Sequence, residues 1–439
     1  MRKILLLAAA TAVFAACTSD EAPVLQNDDA PRAVAFDTYT SSATRSGQTD
    51  VMSTTTLHTT GFGIFAFQSD NATYAATDTP DFMWNQEVTW TEPSWIYTPL
   101  KYWPNETTQD TQDGAATSTG TDVLSFFAYA PYVAATPGTG AVTATAITDT
   151  DNAATPNAVA NVGITGLTSN AATGDPKVSY QMAYTPSKSV DLLWGVAPAG
   201  GLSYQTVNPD NTINIVEGTP LTNLIKPSKD QKIKFLFKHA LARLGMTVVA
   251  AVDQLAPGGS IDAATKIYVN SVTITNTAAT IPVAGELNLN NTTTPGVAKW
   301  ESESYTIPTG GLKLVVNSDR GLNEALTGST TAITRAGVTT SETNVIADGK
   351  YFMLIPTHAD AVLQVTIDYT VITADANVAG EFAVTNNVIT KEITISSFTN
   401  NKAYNLRLVL GLTSVKVDAE VADWQLEGSS EVNLPRNNN

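Results

Sequence analysis

The chain has 439 residues, and its 24 basic and 41 acidic residues give a formal net charge of −17. The length predicts about two or three domains, and the acidic balance argues against a nucleic-acid partner, which would require a basic face. Three histidines and one cysteine are too few for a zinc ribbon, a Cys/His metal cluster or a disulfide framework. Only 15% of the residues are charged, which favours an all-β protein, because strands prefer Thr and β-branched residues whereas helix surfaces prefer Glu, Lys and Arg.

The N-terminus has the pattern of a secretion signal. Residues 1–3 (MRK) are followed by an apolar run over 4–16, which is typical of a signal peptide and too short to span a bilayer. The run ends in small residues directly before Cys17, as in a bacterial lipobox. We predict a lipoprotein signal peptide over 1–16 and an acylated Cys17, whose two or more acyl chains would hold the chain on a membrane. The alternative is an ordinary signal peptide with an incidental cysteine.

Hydrophobic alternation with a period of two recurs along the chain and predicts strands with one buried face. The clearest case is 361–372, where Leu363, Val365 and Ile367 share one face. The predicted strands are 33–40, 61–67, 123–130, 232–238, 244–252, 266–275, 313–317, 351–355, 361–372, 387–396, 403–412 and 414–423. No long stretch keeps a helical period, and 239–244 is predicted as strand or a short irregular turn.

Two stretches interrupt this alternation, at 107–121 and 134–176. Both are rich in Ala, Thr, Gly and Asn, and we predict long surface loops there. A further break near 253–264 marks a domain boundary. Because many short strands separated by Gly, Pro and Asn are typical of β-sandwiches, we predict an N-terminal β-sandwich domain over 46–253 and a C-terminal one over 254–439.

A series of aromatic-rich and leucine-rich segments follows in a characteristic order. The segments are 61–67 (GFGIFAF), 95–104 (WIYTPLKYWP), 124–132 (LSFFAYAPY), 191–194 (DLLW), 235–244 (FLFKHALARL), 404–412 (YNLRLVLGL) and 421–424 (VADW). Taken together, and with a lipoprotein signal in front, this series resembles the fimbrillin-like family, the subunits of type V pili. The resemblance extends over most of the chain.

The resemblance implies two tandem transthyretin-like β-sandwich domains and a route of assembly. Subunits of this kind reach the surface of the outer membrane as lipoproteins, where a trypsin-like, arginine-specific protease removes the N-terminal segment with its first strand. The vacated groove accepts a C-terminal strand from another subunit, and the product is a fimbrium. In such strand addition, main-chain hydrogen bonds give affinity and alternate side-chain pockets set the register.

The N-terminal residues can be matched to this route one at a time. Residues 17–45 would be the propeptide, consisting of a polar tether and a removable first strand over 33–40. The alternating positions of that strand include Val34, Phe36 and Thr38. Arg45 follows in a small, polar segment and is the candidate processing site. Arg32 is the alternative, but cleavage there would leave the strand in place.

The C-terminal segment 425–435 is the candidate donor tail. The apolar side chains available to it are Trp424, Leu426, Val432 and Leu434. Burial of four such side chains would give roughly 6–12 kcal/mol at about 1.5–3 kcal/mol each. Ordering the backbone opposes this by about 1–2 kcal/mol per residue, so strand-to-strand hydrogen bonds are needed as well. The alternative is a terminal strand that completes its own domain.

The sequence bears on three classes of function. The leading hypothesis is a structural pilin that polymerises. The second is a tip adhesin or surface glycan-binding lipoprotein. This hypothesis rests on a group of aromatic residues that could stack on sugar rings. These residues are Trp84, Trp90, Trp95, Tyr97, Tyr102 and Trp103. An enzyme is disfavoured, because the sequence has no GxSxG, HExxH, Walker or GxGxxG motif.

The expected partners follow from the leading hypothesis. They are other fimbrial subunits, an arginine-specific protease, the outer membrane through the lipid anchor, and a host or bacterial surface ligand. No metal and no cofactor are expected apart from the covalent lipid on Cys17. The three histidines, His58, His239 and His358, lie far apart in the sequence and are expected to have structural roles.

Overall fold

A computed structural model describes the chain over 31–40, 52–70, 73–104, 122–142, 147–149, 159–199, 215–224, 226, 231–250, 266–276, 280–305, 311–315, 332–334, 343–344, 351–374, 377, 382–410 and 415–423. Within these residues there are 23 strands, one short α-helix and one turn of 3-10 helix. The prediction of an all-β protein is confirmed.

The elements are numbered in chain order. Those of the first half are β1 (Phe36–Thr40), α1 (Thr54–Thr60), β2 (Phe62–Ser69), β3 (Met83–Thr91), β4 (Ser94–Ile96), β5 (Val123–Ala130), β6 (Ile147–Asp149), β7 (Val159–Leu167), β8 (Lys177–Gln181), the 3-10 turn (Pro186–Lys188), β9 (Leu193–Val196), β10 (Leu221–Leu224), β11 (Ile233–His239) and β12 (Ala242–Ala250). Those of the second half are β13 (Lys266–Asn276), β14 (Ala284–Asn288), β15 (Lys299–Ser304), β16 (Leu312–Val315), β17 (Ala332–Thr334), β18 (Thr343–Asn344), β19 (Phe352–Leu354), β20 (Ala361–Ala374), β21 (Phe382–Ile395), β22 (Lys402–Leu410) and β23 (Val415–Asp423).

The first sheet separates two hydrophobic cores. Its strands follow the order β1-β11-β9-β5-β2-β3-β4, and β10 also pairs with β5. Along β2, Phe62 and Ile64 face one core, whereas Phe65 and Phe67 face the other. Strand β5 is buried along its whole length. A strand that is covered on both faces needs apolar residues at consecutive positions, which explains the unbroken apolar runs in this part of the sequence.

The second and third sheets share one core. The second sheet has the order β18-β12-β22-β23, with β19 also paired to β12, and the third has the order β16-β13-β20-β21, with β17 also paired to β13. Inward side chains of β22, such as Leu406 and Leu408, lie in the same cluster as Val365 and Ile367 of β20. Both strands show the period-two alternation from which they were predicted.

The fourth sheet joins strands from both halves of the chain. Its order is β15-β14-β8-β7-β6, so β14 of the second half pairs with β8 of the first. The prediction of surface loop over 134–176 is wrong for β6 and β7, which lie inside that range. Gly163 and Gly166 interrupt the alternation of β7, and this obscured the strand. Of the other predicted loop, residues 107–121 all lie outside the described part of the chain.

Strand pairing crosses the predicted domain boundary at 253/254. Strand β11 belongs to the first sheet, and only Ala240 and Leu241 separate it from β12. The range 239–244, predicted as strand or a short irregular turn, therefore contains the end of β11, a two-residue turn and the start of β12. Strand β12 precedes the boundary, yet its described partners are β18, β19 and β22 of the second half. Residues 251–265 lie outside the described residues, and the domain limits remain predictions.

The short helix α1 has a local cause. Ser53 is its N-cap and exchanges hydrogen bonds with Thr56 in a capping box, which satisfies two backbone N–H groups at the start of the helix. Gly61 ends the helix at a positive φ of 65°, where a Cβ would lie 2.7 Å from the Val88 carbonyl oxygen. The sequence TTTLHTT has no helical hydrophobic period, so the helix was not predicted.

Glu301 ties the fourth sheet together across three strands. Its carboxylate lies 2.7 Å from Lys177 Nζ and 2.9 Å from Lys299 Nζ, and it accepts a hydrogen bond of 3.2 Å from the Asn288 amide. Burial alone would raise the pKa of Glu301, but these hydrogen bonds outweigh it and lower the pKa to about 2. The carboxylate therefore stabilises the fold above its unfolded-state pKa, and this contribution is lost as the pH falls towards 2.

We expect Glu301→Gln to flatten the loss of stability between about pH 5 and pH 2. Urea unfolding at a series of pH values measures this effect, and the difference between wild type and variant should be largest near neutral pH. Glu420→Gln, at an exposed position of β23, is the matched control. A Glu301→Gln difference that does not change with pH would contradict the assignment.

Candidate functional site

Residues 32–40 occupy a narrow slot at the edge of the first sheet. We call the space between β11 and residues 101–103 the strand slot. Alternate side chains of its occupant point inward and are buried, namely Arg32, Val34, Phe36, Thr38 and Thr40. The strand predicted over 33–40 is therefore present, and β1 is its regular part. This period-two burial is the geometry expected of a strand with one face against a core.

Strand β1 runs parallel to β11. Phe36 lies opposite Ile233, Thr38 opposite Phe235 and Thr40 opposite Phe237. Just before β1, the Ile233 N–H donates a 2.7 Å hydrogen bond to the Ala35 carbonyl. Strand β1 stands at the end of the strand order, so among the described strands β11 is its only ladder partner.

Phe36 is the main side chain of the occupant. It is 1% exposed, and its ring lies between 5.4 and 6.3 Å from four other aromatic rings. These rings belong to Phe62, Tyr97, Phe126 and Phe235. Edge-to-face and offset pairs at such distances stabilise a core beyond simple area burial. Phe36 therefore anchors the first strand in the slot.

The start of the occupant is also held on its outer side. The Val34 N–H donates to the Lys101 carbonyl at 2.9 Å, and the Trp103 N–H donates to the Arg32 carbonyl at 2.9 Å. The Tyr97 hydroxyl donates a 2.7 Å hydrogen bond to the Val34 carbonyl. Burial raises the pKa of Tyr97 to about 12, so this hydroxyl keeps its proton at ordinary pH. Sequence reasoning missed this contact, because residues 97–103 are far from Val34 along the chain.

The two threonines at the end of the strand differ in their contacts. Thr40 Oγ1 lies 3.0 Å from Thr54 Oγ1 at the start of α1. Thr38 Oγ1 is buried and has no hydrogen-bond partner among the described residues. The Thr38 N–H donates to the carboxylate of its neighbour Asp37 at 3.0 Å. Of the two hydroxyls at the end of the strand, only that of Thr40 therefore has a hydrogen-bond partner among the described residues.

A buried polar pair holds the chain where it resumes after the candidate cleavage segment. The Met52 N–H donates to Asp191 Oδ2 at 2.9 Å, and His239 Nδ1 lies 2.7 Å from the same oxygen. The Asp191 and His239 side chains are 0% and 2% exposed. The His239 carbonyl in turn accepts a 3.4 Å hydrogen bond from the Asn400 amide. This arrangement connects the start of α1 to the turn between β11 and β12.

Several predicted site residues lie outside the described residues. They are Cys17, Arg45, Trp424, Leu426, Val432 and Leu434. The described chain ends at Asp423 on β23, which is the last strand in the order of the second sheet. Lipidation, cleavage and donation of the tail therefore remain predictions for this chain.

The aromatic residues that suggested glycan binding contribute mainly to the core. Trp95 and Trp103 are buried, Trp84, Trp90 and Tyr97 are half-buried, and Tyr102 is exposed. The half-buried Trp90 stacks on His58 at 4.0 Å with an interplanar angle of 6°, and burial lowers the pKa of His58. The cluster thus presents no row of open aromatic faces within the described part of the chain.

No group of three or more His, Cys, Asp or Glu side chains among the described residues is placed to hold a metal ion. No described helix has the length and apolar character needed to cross a membrane.

Comparison with known proteins gives a consistent result. No protein-family model matches the chain. The fimbrium subunit Fim1C of Phocaeicola vulgatus is 24% identical over 454 aligned residues, which cover 99% of each protein. A crystal structure of a fimbrial protein from Bacteroides vulgatus superposes with a TM-score of 0.58 at 20% identity, covering 90% of this chain and 99% of that one.

The chain resembles a fimbrium subunit over its full length. The resemblance first noted in the aromatic-rich segments therefore extends to a full-length relative and to a shared fold. Five of the seven segments contribute to the first sheet, and four of these, 61–67, 95–104, 124–132 and 235–244, provide aromatic neighbours of Phe36 in the strand slot. Segments 404–412 and 421–424 contribute instead to β22 and β23 of the second sheet, so only part of the series surrounds the first strand.

Proposed function

We propose that the chain is a structural fimbrial subunit that polymerises by exchange of its first strand. The observation that carries this proposal is the geometry of the strand slot, whose occupant is a short edge strand that alternates buried and half-buried residues. Such a strand can be replaced by another extended segment with the same alternation, because main-chain hydrogen bonds do not depend on sequence. The similarity to a fimbrium subunit supports the same conclusion.

Removal of the first strand would expose an unpaired strand edge and an apolar groove. It would uncover the β11 backbone and the aromatic pocket of Phe36, which is formed by Phe62, Phe126 and Phe235 together with Tyr97. An open strand edge beside an exposed apolar groove strongly favours pairing with another chain. Processing would therefore convert a closed subunit into one that requires a partner strand.

The remaining steps belong to the same proposal. The chain is exported as a lipoprotein anchored in the outer membrane through Cys17, and an arginine-specific protease cleaves after Arg45. Because β1 ends at Thr40, this cleavage falls beyond the strand and separates it from the rest of the subunit. The tail over 425–435 of another subunit, of the same or a different kind, then enters the slot.

We expect Arg45→Ala to abolish surface polymers, because the first strand would stay covalently attached. The measurement is a ladder gel of surface-extracted material together with N-terminal sequencing, in which the wild type should begin at Ser46. Ser46→Ala changes the neighbouring residue without removing the arginine and should polymerise normally. Polymers of normal abundance from Arg45→Ala would show that cleavage after this arginine is not required.

We expect deletion of 425–439 to stop elongation while leaving processing intact, because three of the four apolar donor residues, Leu426, Val432 and Leu434, are removed. The same gel should show mature monomer without a ladder. Deletion of 436–439 alone removes no apolar donor residue and serves as the matched control. If the longer deletion still gives a full ladder, the tail is not the donor, and it instead completes its own domain.

A further inference from the structure

The strand slot holds its occupant more firmly at the start than at the end. Val34 and Ala35 are bonded on opposite sides, to Lys101 and Ile233 respectively. From Phe36 to Thr40, the described residues provide a backbone partner on one side only, which is β11. The weakly held end is the one nearer to Arg45. Release after cleavage should therefore begin at that end of the strand.

Thr38 has a buried side-chain hydroxyl at this weakly held end that makes no hydrogen bond within the described part of the chain. It is 9% exposed, and its hydroxyl oxygen is buried without a hydrogen-bond partner among the described residues. A buried hydroxyl that makes no hydrogen bond loses its interaction with water and gains nothing in return. The neighbouring inward position, Thr40, does not share this defect, because its hydroxyl contacts Thr54.

We propose that Thr38 is a built-in weak point of the first strand, and that the strand which replaces it carries an aliphatic side chain at this position. The incoming strand comes from a second copy of this chain, and the inference rests on the exchange function proposed above. An aliphatic side chain fills this position without burying an unpaired polar group, and valine does so with nearly the shape of threonine. Val432 and Leu434 have the two-residue spacing that adjacent inward positions of the slot require.

The unpaired Thr38 hydroxyl has little effect on the occupancy of the slot before cleavage and a large effect after it. While the chain is intact, the covalent connection keeps the first strand at a high effective concentration beside the slot, so a modest intrinsic affinity suffices. Once the connection is cut, the fragment competes with other strands as a separate molecule. The fraction of slots that exchange their strand is then set by the ratio of the two strands' affinities for the slot.

The test compares Thr38→Val with Thr40→Val in the full chain. Both variants remove one hydroxyl from an inward position and keep the shape of the side chain. After cleavage behind Arg45 with an arginine-specific protease, release of the N-terminal fragment is followed by size exclusion and mass spectrometry. We expect the Thr38→Val fragment to leave between about fivefold and a hundredfold more slowly than wild type. The Thr40→Val fragment should leave faster than wild type, because it loses a hydrogen bond.

A second arm tests the incoming strand. Two synthetic peptides covering residues 31–41, one with the wild-type sequence and one with the Thr38→Val change, compete for the slot of the cleaved wild-type chain. The Thr38→Val peptide should half-saturate the slot at a concentration at least about fivefold lower. Equal binding of the two peptides would overturn the proposal, and so would equal slowing of release by the two variants, since hydrophobicity alone would then explain the effect.

Thermal unfolding of the intact chains separates this inference from the proposed function. If the wild-type fragment stays bound until the protein unfolds, strand exchange is wrong. The unfolding midpoints still decide the role of Thr38 in that case. A Thr38→Val midpoint above wild type supports the weak point, and a midpoint equal to or below wild type overturns it.

Discussion

Replacement of Phe36 by alanine is expected to lower the free energy of unfolding by about 3–5 kcal/mol. The side chain is almost fully buried and contacts four aromatic rings. Rings on several different strands line this pocket, so it cannot collapse around the smaller side chain without moving β2, β5 and β11 together. The loss should therefore include the transfer free energy of the ring and most of the penalty for the cavity.

Urea unfolding followed by tryptophan fluorescence measures this loss. Val388→Ala, at a position that is 61% exposed on β21, is the matched control and should change the free energy by less than about 0.5 kcal/mol. The Phe36→Ala fragment should also leave the cleaved chain faster than wild type. A variant as stable as the control would mean that Phe36 is not the anchor of the first strand.

Replacement of Asp191 by alanine should lower the free energy of unfolding by about 3–5 kcal/mol, the range for breaking one side of a buried polar pair. The change leaves the His239 ring without the carboxylate 2.7 Å away and the Met52 N–H without its acceptor. The Leu192 N–H, which donates to Asp191 Oδ1 at 2.9 Å, is left unsatisfied as well. Buried groups that lose their partners are costly because no water replaces them.

Two comparisons sharpen this prediction. Asp191→Asn keeps an acceptor oxygen at the same place and should lose less stability than Asp191→Ala. Lys299→Ala breaks a pair with Glu301 whose lysine is 43% exposed, and it should change the free energy by no more than about 1 kcal/mol. Urea unfolding is again the measurement. If Asp191→Ala is as mild as Lys299→Ala, the buried pair does not hold the start of α1.

The sequence was most informative where one face of a strand is buried and the other is open. Strands β20 and β22 were predicted from the alternation of residues such as Val365 and Leu406, because burial of one face places apolar residues at every second position of the sequence. Strand β3 was missed. Its Asn85 has a positive φ of 42°, and the pairing of β2 with β3 shifts register nearby, so the alternation is broken at that point.

Pairing partners could not be read from the alternation. The period of a strand defines which side chains share a face, but not which strand lies beside it. Nothing in residues 242–250 indicated that β12 would pair with β22 across the predicted boundary. Short strands such as β8 and β14 were missed for a related reason, since five residues give too little pattern to separate from a loop.

The candidate site was only partly visible in the sequence. The inward alternation of Val34, Phe36 and Thr38 could be read directly, and the structure places all three in the slot. The lack of a partner for the Thr38 hydroxyl, and the contacts of Val34 with Lys101 and Tyr97, depend on residues that are distant along the chain. Such features are properties of packing, and no local pattern encodes them.

Strand β11 forms one wall of the slot and, after Ala240 and Leu241, continues into β12 of the second sheet. A strand seated along β11 therefore lies parallel to a backbone that leads directly into the rest of the subunit. Under tension along the strand axis, the hydrogen bonds of such a pair are loaded in shear and must break together rather than one after another. In a fibre joined through this slot, mechanical resistance would depend on the length of the β11 ladder more than on surface contacts between neighbouring subunits.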